Sequence, residues 1–206
     1  LARAHPFVDL LLFPPPAGKD GFLATNSLLG FIAVLVRGYM FELGRAEEWE
    51  TVRTFIAPLL AAGSTQIQEW AATTEPLWQR TTTIVLYDKN SRIGAIDLES
   101  KFTEAALGNV QIADYRNFAH GRHHWLAKRG DSSAVLALYS PTGANLAERT
   151  LALLPAEIPI ARIQLPGSPM ATMLASLIAA LQITGWAGRA RGIDPGRPGV
   201  PEFGRR

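Results

Sequence analysis

Apolar positions along the chain form short runs and longer runs, and the two alternate over most of its length. Short continuous apolar runs are typical of buried strands, and longer runs interrupted at helical spacing are typical of helices. The pattern predicts strands at 7–13, 81–87, 110–115, 134–140 and 158–165. It predicts helices at about 26–43, 47–60, 65–72, 93–107, 144–154 and 169–187, the first of them capped by Asn26 or Ser27.

The order of these elements predicts the fold class. Buried strands that alternate with helices form parallel sheets covered on both faces. We therefore expect an α/β, doubly wound, mainly parallel sheet with helices on both faces. Residues 77–168 contain one complete unit of this kind, whereas residues 1–76 look like the C-terminal part of a truncated first unit. Residues 169–206 form a terminal helix and a tail that we expect to pack across the body.

Ligands bind to sheets of this class at the carboxyl ends of the strands. The informative loops are therefore 14–26, 88–92, 116–125 and 140–144. In the last of these, Ser140, Thr142 and the free N–H groups after Gly143 could hold a phosphate. Capping of the following helix explains the same residues, so both interpretations stay open.

Composition narrows the classes of function. The chain has 206 residues and no cysteine, which excludes disulfides and thiolate sites. Its formal charge is +2, but five arginines lie in the last 18 residues, so the body is close to neutral. A nucleic-acid-binding protein usually carries a basic stripe with aromatic residues. We see none and expect no nucleic-acid partner.

Targeting signals and assembly can be judged from the apolar segments. The chain starts at Leu1 without a signal-peptide pattern, so we expect it to begin inside a longer, cytoplasmic protein. Residues 169–188 are long enough to cross a bilayer. Thr172, Ser176 and Gln182 interrupt them, which favours a helix buried in the protein over one that crosses a membrane.

The helices at 26–43 and 169–187 carry more apolar surface than one incomplete sheet covers, which predicts a homodimer or higher oligomer.

Metal and nucleotide sites are disfavoured. "AHGRHH" places His120, His123 and His124 within five residues, but no carboxylate lies at the usual helical spacing, so we expect no metal. "GKDG" at 18–21 lacks the spacing of a Walker loop, and we expect no cofactor. Lys101 and Glu104 share one helix face, for which a solvated ion pair is the simplest explanation by pattern alone.

The longer stretch that contains Lys101, Glu104 and His120 favours a functional role for these residues. "IGAIDLESKFTEAALGNVQIADYRNFAHG" resembles the sugar isomerase (SIS) domain, in particular its second copy in the isomerase half of glucosamine-6-phosphate synthase. There a helix with Lys-x-x-Glu precedes a short strand and a His-Gly loop, and the sixteen-residue interval from Glu104 to His120 matches without a gap. "AGKDGFLATNSLLGFIAVL" is similar to the family's Gly-x-x-x-Thr loop and long helix. "SPMATMLASLIAALQITGWAGRARGIDPGRP" is similar to its terminal helix and tail.

The resemblance implies a phosphosugar isomerase that moves a proton between C1 and C2 of a hexose or amino-sugar phosphate. In that chemistry a carboxylate takes the proton from one carbon and returns it to the next. By resemblance Glu104 is this base, and His120 assists ring opening, often from a neighbouring protomer. Lys101 would steady the developing oxyanion. Phe22, Ala24 and Thr25 would line the substrate.

The resemblance also implies differences from the synthase. The family's Ser/Thr-rich phosphate loop belongs to the first SIS copy, upstream of residue 7, and the catalytic lysine of the tail is absent from "GVPEFGRR". The same glutamate–histidine pair serves related deglycases, which cleave amine adducts of sugar phosphates. A non-catalytic sugar-phosphate-binding module is the alternative from another class.

Overall fold

A four-stranded parallel sheet forms the centre of the computed structural model, which describes residues 12, 14, 18, 20–199 and 201–204. The strands are β1 (Thr82–Tyr87), β2 (Asn109–Asp114), β3 (Ser133–Tyr139) and β4 (Ile160–Gln164). The long helices are α1 (Asn26–Glu42), α2 (Glu48–Leu60), α3 (Thr65–Thr74), α4 (Arg92–Glu104), α7 (Ala144–Leu151) and α8 (Pro169–Arg191). Two short helices, α5 (Tyr115–Asn117) and α6 (His124–Arg129), join β2 to β3. The strand predicted at 7–13 falls almost entirely outside the described residues.

The sheet has the order β2-β1-β3-β4, and all three strand pairs are parallel. This order is flavodoxin-like and confirms the predicted doubly wound α/β class. The connection from β1 to β2 crosses one face of the sheet, and those from β2 to β3 and from β3 to β4 cross the other. The central strands β1 and β3 are buried along almost their whole length, because helices cover both of their faces.

The two faces of the sheet carry separate apolar clusters. On the first face α3, α4 and α8 pack against side chains such as Val85, Leu136 and Ile163. On the second face α5, α6 and α7 pack against Ile84, Leu86 and their neighbours. A third cluster joins α1 and α2 to the start of α8. Helix α8 therefore connects the sheet to the N-terminal helices.

Helix α8 is the one helix of the described residues that is long and apolar enough to cross a membrane, with a mean hydropathy of 1.5 over its best window. Within that window 72% of the residues are buried. Core helices of globular proteins have the same composition. The apolarity of α8 is therefore explained by its packing against α4 and the N-terminal helices.

Helices α4 and α8 approach each other closely at Gly94. The Gly94 N–H donates to Ser176 Oγ at 3.2 Å. A Cβ atom at Gly94 would lie 2.3 Å from the Ser176 carbonyl oxygen. This position therefore requires glycine to bring the two helix backbones together.

Two boundaries differ from the prediction. The pattern predicts a loop at 116–125, but residues 115–129 are mostly helical, with an irregular turn at Gly121. Asp114 starts this helical segment by accepting hydrogen bonds from the Arg116 and Asn117 N–H groups. Helix α4 ends at Glu104 rather than 107, because the backbone becomes left-handed at Ala106, with φ of 53°.

The cap of α1 also differs from the prediction. Neither Asn26 nor Ser27 caps the helix with its side chain. Instead the Asp20 carboxylate accepts from the N–H groups of Thr25, Asn26 and Ser27 and from the Thr25 and Ser27 hydroxyls. These hydrogen bonds, led by those from Ser27 and Thr25, hold the pKa of Asp20 far below its ordinary value. A carboxylate six residues upstream thus takes the role of the cap.

This cap predicts a pH-dependent stability. At pH 7 Asp20→Ala should lower the free energy of unfolding by about 1 kcal/mol, the usual value of a helix cap. A carboxyl group whose pKa is lowered by folding stabilises above its unfolded pKa, and that contribution is lost as the pH falls through the folded pKa. The difference between wild type and Asp20→Ala should therefore shrink below about pH 4. Urea unfolding at several pH values measures it, and a difference that does not change with pH would contradict this account.

Candidate active site

The inner face of α4 carries a buried ion pair. Lys101 Nζ lies 3.1 Å from Asp97 Oδ1, and the two residues are only 4% and 9% exposed. They are spaced i, i+4, so they lie one turn apart on the same face of the helix. Lys101 is thus a core lysine. It pairs with Asp97 in the interior instead of forming the solvated ion pair that the pattern alone favours.

The buried carboxylate of Asp97 is incompletely satisfied. Burial raises its pKa, the Lys101 cation opposes this, and the charge of Glu104 adds to it. Its second oxygen, Oδ2, is buried and has no hydrogen-bond partner among the described residues. A buried ion pair is costly unless its remaining polar atoms are also bonded. The Asp97–Lys101 pair is therefore not expected to stabilise the fold much. Buried ionisable groups of this kind are common at functional sites.

Lys101 lines a cavity of about 220 Å³. Three other parts of the chain form the walls: the loop before α1, the middle of α8 and the tail that follows α8. The lining residues are Gly21, Leu23, Thr25, Leu181, Thr184, Gly185, Pro195 and Gly196. Parts of the chain far apart in sequence therefore meet around one ammonium group.

The loop and the tail are joined by a direct contact. The Phe22 N–H donates to the Gly196 carbonyl oxygen at 2.8 Å. A Cβ atom at Gly21 would lie 2.7 Å from the same oxygen, so the approach requires glycine. The Phe22 amide is therefore used within the protein, and its side chain is 47% exposed. Ala24 is exposed, and Thr25 donates its N–H and hydroxyl to Asp20.

Glu104 is the last residue of α4 and is exposed. Its Oε1 accepts a hydrogen bond from Ser100 Oγ at 2.5 Å. It lies close enough to the buried pair to influence the pKa of Asp97. Lys101 and Glu104 therefore form one group on α4, in which the first is buried and the second faces solvent.

His120 lies apart from this group. It is exposed, and it follows Phe118, which packs on the second face of the sheet, whereas α4 covers the first face. The rings of His123 and His124 stack with their centroids 4.7 Å apart. In the described part of the chain no group of three His, Asp or Glu side chains is arranged to hold a metal ion. Within one chain, the structure does not bring His120 to Glu104.

Ser140 and Thr142 lie at the carboxyl edge of the sheet, between the ends of β1 and β3. Ser140 is 1% exposed, and both its N–H and its hydroxyl donate to Asp88 Oδ2. Asp88 Oδ1 accepts from the N–H groups of Asn90 and Ser91. The Ser140 Oγ is 3.0 Å from Thr142 Oγ1 and accepts the Gly143 N–H. Ser140 thus caps the turn that leads into α7, which is the capping role that the sequence allows. Thr142 borders the open cleft at this edge.

Sequence reasoning did not identify three residues that organise these sites. Asp97 pairs with Lys101 in the core, and nothing in its sequence context distinguishes it from a surface carboxylate. Asp88 follows an apolar strand and precedes Ser91 by three residues, which is the usual spacing of a turn built around a carboxylate. The hydrogen bond between Phe22 and Gly196 joins residues 174 positions apart. No local sequence pattern predicts such a long-range contact.

No protein-family model matches the sequence, and no curated protein matches it either.

Proposed function

We propose that this chain belongs to a phosphosugar isomerase, which moves a proton between C1 and C2 of a hexose or amino-sugar phosphate. The observation that carries the proposal is the meeting of loop 21–25, Lys101 and the tail at one cavity, with Glu104 one turn farther along α4. The stretches that resemble the SIS family contain these same three segments. They come from three distant parts of the sequence, so a shared function accounts for their meeting.

The chemistry assigns a role to each group. The Glu104 carboxylate takes the proton from C2 of the open-chain aldose and returns it to C1, while the hydroxyl proton moves from O2 to O1. The ammonium of Lys101 stabilises the negative charge that develops on oxygen in the enediolate. A cavity of about 220 Å³ is smaller than most small-molecule sites. It would therefore hold only part of the sugar phosphate, and C1 and C2 would lie within reach of both Lys101 and Glu104.

The position of His120 supports an assembly of at least two protomers. In one chain Glu104 is on α4, which covers the first face of the sheet, whereas His120 is in the connection that packs on the second face. A histidine that assists ring opening must reach the sugar, so His120 would serve the site of a neighbouring protomer. The outer face of α1 offers apolar surface for such an assembly, with Leu35 and Tyr39 53% and 62% exposed.

The alternative is a module that binds sugar phosphates without transforming them. The exposure of Glu104 and the lack of a lysine in "GVPEFGRR" favour this alternative. A deglycase, which uses the same pair of residues on amine adducts, is a variant of the enzymatic proposal.

Solvent deuterium exchange tests the proposal. The full-length protein is incubated in D₂O with a panel of phosphorylated aldoses and ketoses, and NMR follows the C1 and C2 protons. We expect deuterium at C2 of the aldose or C1 of the ketose for at least one substrate, because the proton on the base exchanges with solvent between its removal and return. A panel that binds but never exchanges would favour the binding module and end the enzymatic proposal.

A further inference from the structure

A second cleft, of about 860 Å³, lies at the carboxyl edge of the sheet. It extends from the end of β1 to the ends of β2 and β3, where the chain crossings diverge to opposite faces of the sheet. Open parallel sheets bind ligands at such switch points. The volume lies within the usual range for sites that bind small molecules. Size and position therefore both fit a ligand site.

The carboxylates around the cleft have hydrogen-bond partners within the protein, whereas the cations have no ion-pair partners among the described residues. Its two carboxylates, Asp88 and Asp114, each accept main-chain N–H groups. These bonds, led by that from the Asn117 N–H, lower the pKa of Asp114. The cleft also carries Lys89, Arg92 and Arg116. Among the described residues, none of these three cations forms an ion pair, so the charge left to meet a ligand is positive.

The remaining walls are polar on one side and apolar on the other. Asn90, Asn117 and Thr142 border the cleft with amide and hydroxyl groups that can exchange hydrogen bonds with sugar hydroxyls. Tyr87 and Leu146 add apolar surface, and Leu146 is 41% exposed. Sites for small molecules commonly combine an apolar wall with a few convergent polar groups.

We propose that this cleft binds a phosphomonoester of a hydroxyl-bearing small molecule, with Arg92 and Arg116 holding the phosphate. Guanidinium groups bind phosphate oxygens in pairs, so two arginines suit a dianion better than lysines would. The site is distinct from the Lys101 cavity, since Arg92 and Lys101 lie nine residues apart, or about 13 Å along α4. It does not rest on the proposed isomerase activity.

Titration calorimetry at low ionic strength tests this site with inorganic phosphate, glucose 6-phosphate and adenosine 5′-monophosphate. We expect one of the two esters to bind more tightly than phosphate, and the tighter one distinguishes a sugar from a nucleoside source. Arg92→Gln and Arg116→Gln should each weaken binding about tenfold, as loss of a hydrogen bond to a charged group does. Arg149→Gln removes the same charge from an exposed position on α7 outside the cleft and should leave the affinity unchanged.

Other results would overturn the inference. Absence of binding to wild type would do so, and so would esters that bind no more tightly than phosphate. Binding that survives both arginine substitutions but is lost in Lys101→Ala would place the anion in the Lys101 cavity, which removes this inference and leaves the proposed function intact. Thermal unfolding of each variant checks that it is folded. Both arginines are exposed, so their replacement should leave the melting temperature nearly unchanged.

Discussion

Glu104→Gln should lower the turnover of sugar phosphates by the full-length protein by about 10²–10⁴-fold, the usual contribution of a general base. The substitution keeps the shape of the side chain and its hydrogen bond with Ser100, but it removes the basic oxygen. Because Glu104 is exposed at the end of α4, stability and the thermal stabilisation by ligand should change little. Steady-state kinetics and thermal unfolding with and without substrate measure both quantities.

Glu99→Gln is the matched control, because it makes the same change at the other glutamate of α4. Its turnover should equal that of wild type. Equal turnover in Glu104→Gln would remove Glu104 from the mechanism.

His120→Asn should slow closed-ring substrates more than open-chain ones, since its proposed role is ring opening. A mixture of the Glu104→Gln and His120→Asn proteins should regain part of the activity if His120 serves a neighbouring protomer. A mixture no more active than its components would contradict the proposal that His120 serves the site of a neighbouring protomer.

Gly94→Ala should lower the free energy of unfolding by about 3 kcal/mol, toward the upper end of the cost of overpacking a core. The added methyl group would lie 2.3–2.7 Å from the carbonyl group and Cβ of Ser176, and backbone atoms cannot move aside as the end of a side chain can. The helices must separate, which also weakens the hydrogen bond from the Gly94 N–H to Ser176 Oγ. Urea unfolding measures the change.

Gly38→Ala and Gly185→Ala are the controls for this prediction. Both glycines lie within helices, and a Cβ atom at either would have no heavy atom within 4 Å. Alanine has the higher helix propensity, so these variants should be up to about 1 kcal/mol more stable than wild type. If Gly94→Ala also stabilised the protein, the close approach of α4 and α8 would be refuted.

The order of strands and helices could be predicted because it depends on local patterns. Fully buried strands such as β1 and β3 are apolar throughout, and the helices between them follow the helical period. The helical segment after β2 was missed because its polar run, "HGRHH", hides the apolar spacing of Tyr115, Phe118 and Leu126. The cap of α1 was missed because Asp20 reaches it across a loop of several residues.

The candidate site was less accessible to sequence reasoning than the fold. Lys101 and Glu104 could be chosen as candidates from their spacing and the resemblance, but the burial of Lys101 could not be predicted. Whether a helical lysine is buried depends on the segments that cover it, here α8, the loop at 21–25 and the tail. For Ser140 the sequence allows both phosphate binding and capping, and the structure shows that it caps a turn and donates to Asp88, which comes from a different strand end.

The contact between Phe22 and Gly196 has a consequence for the order in which the protein is made. Ribosomes add roughly 5–20 residues per second, so Gly196 is synthesised roughly 9–35 s after Phe22. All four strands of the sheet precede the tail in the sequence. A nascent chain can therefore pair its strands while the cavity at Lys101 still lacks one wall. Premature termination before Pro195 would yield a product that keeps the strands of the sheet and lacks the wall of the Lys101 cavity that the tail supplies.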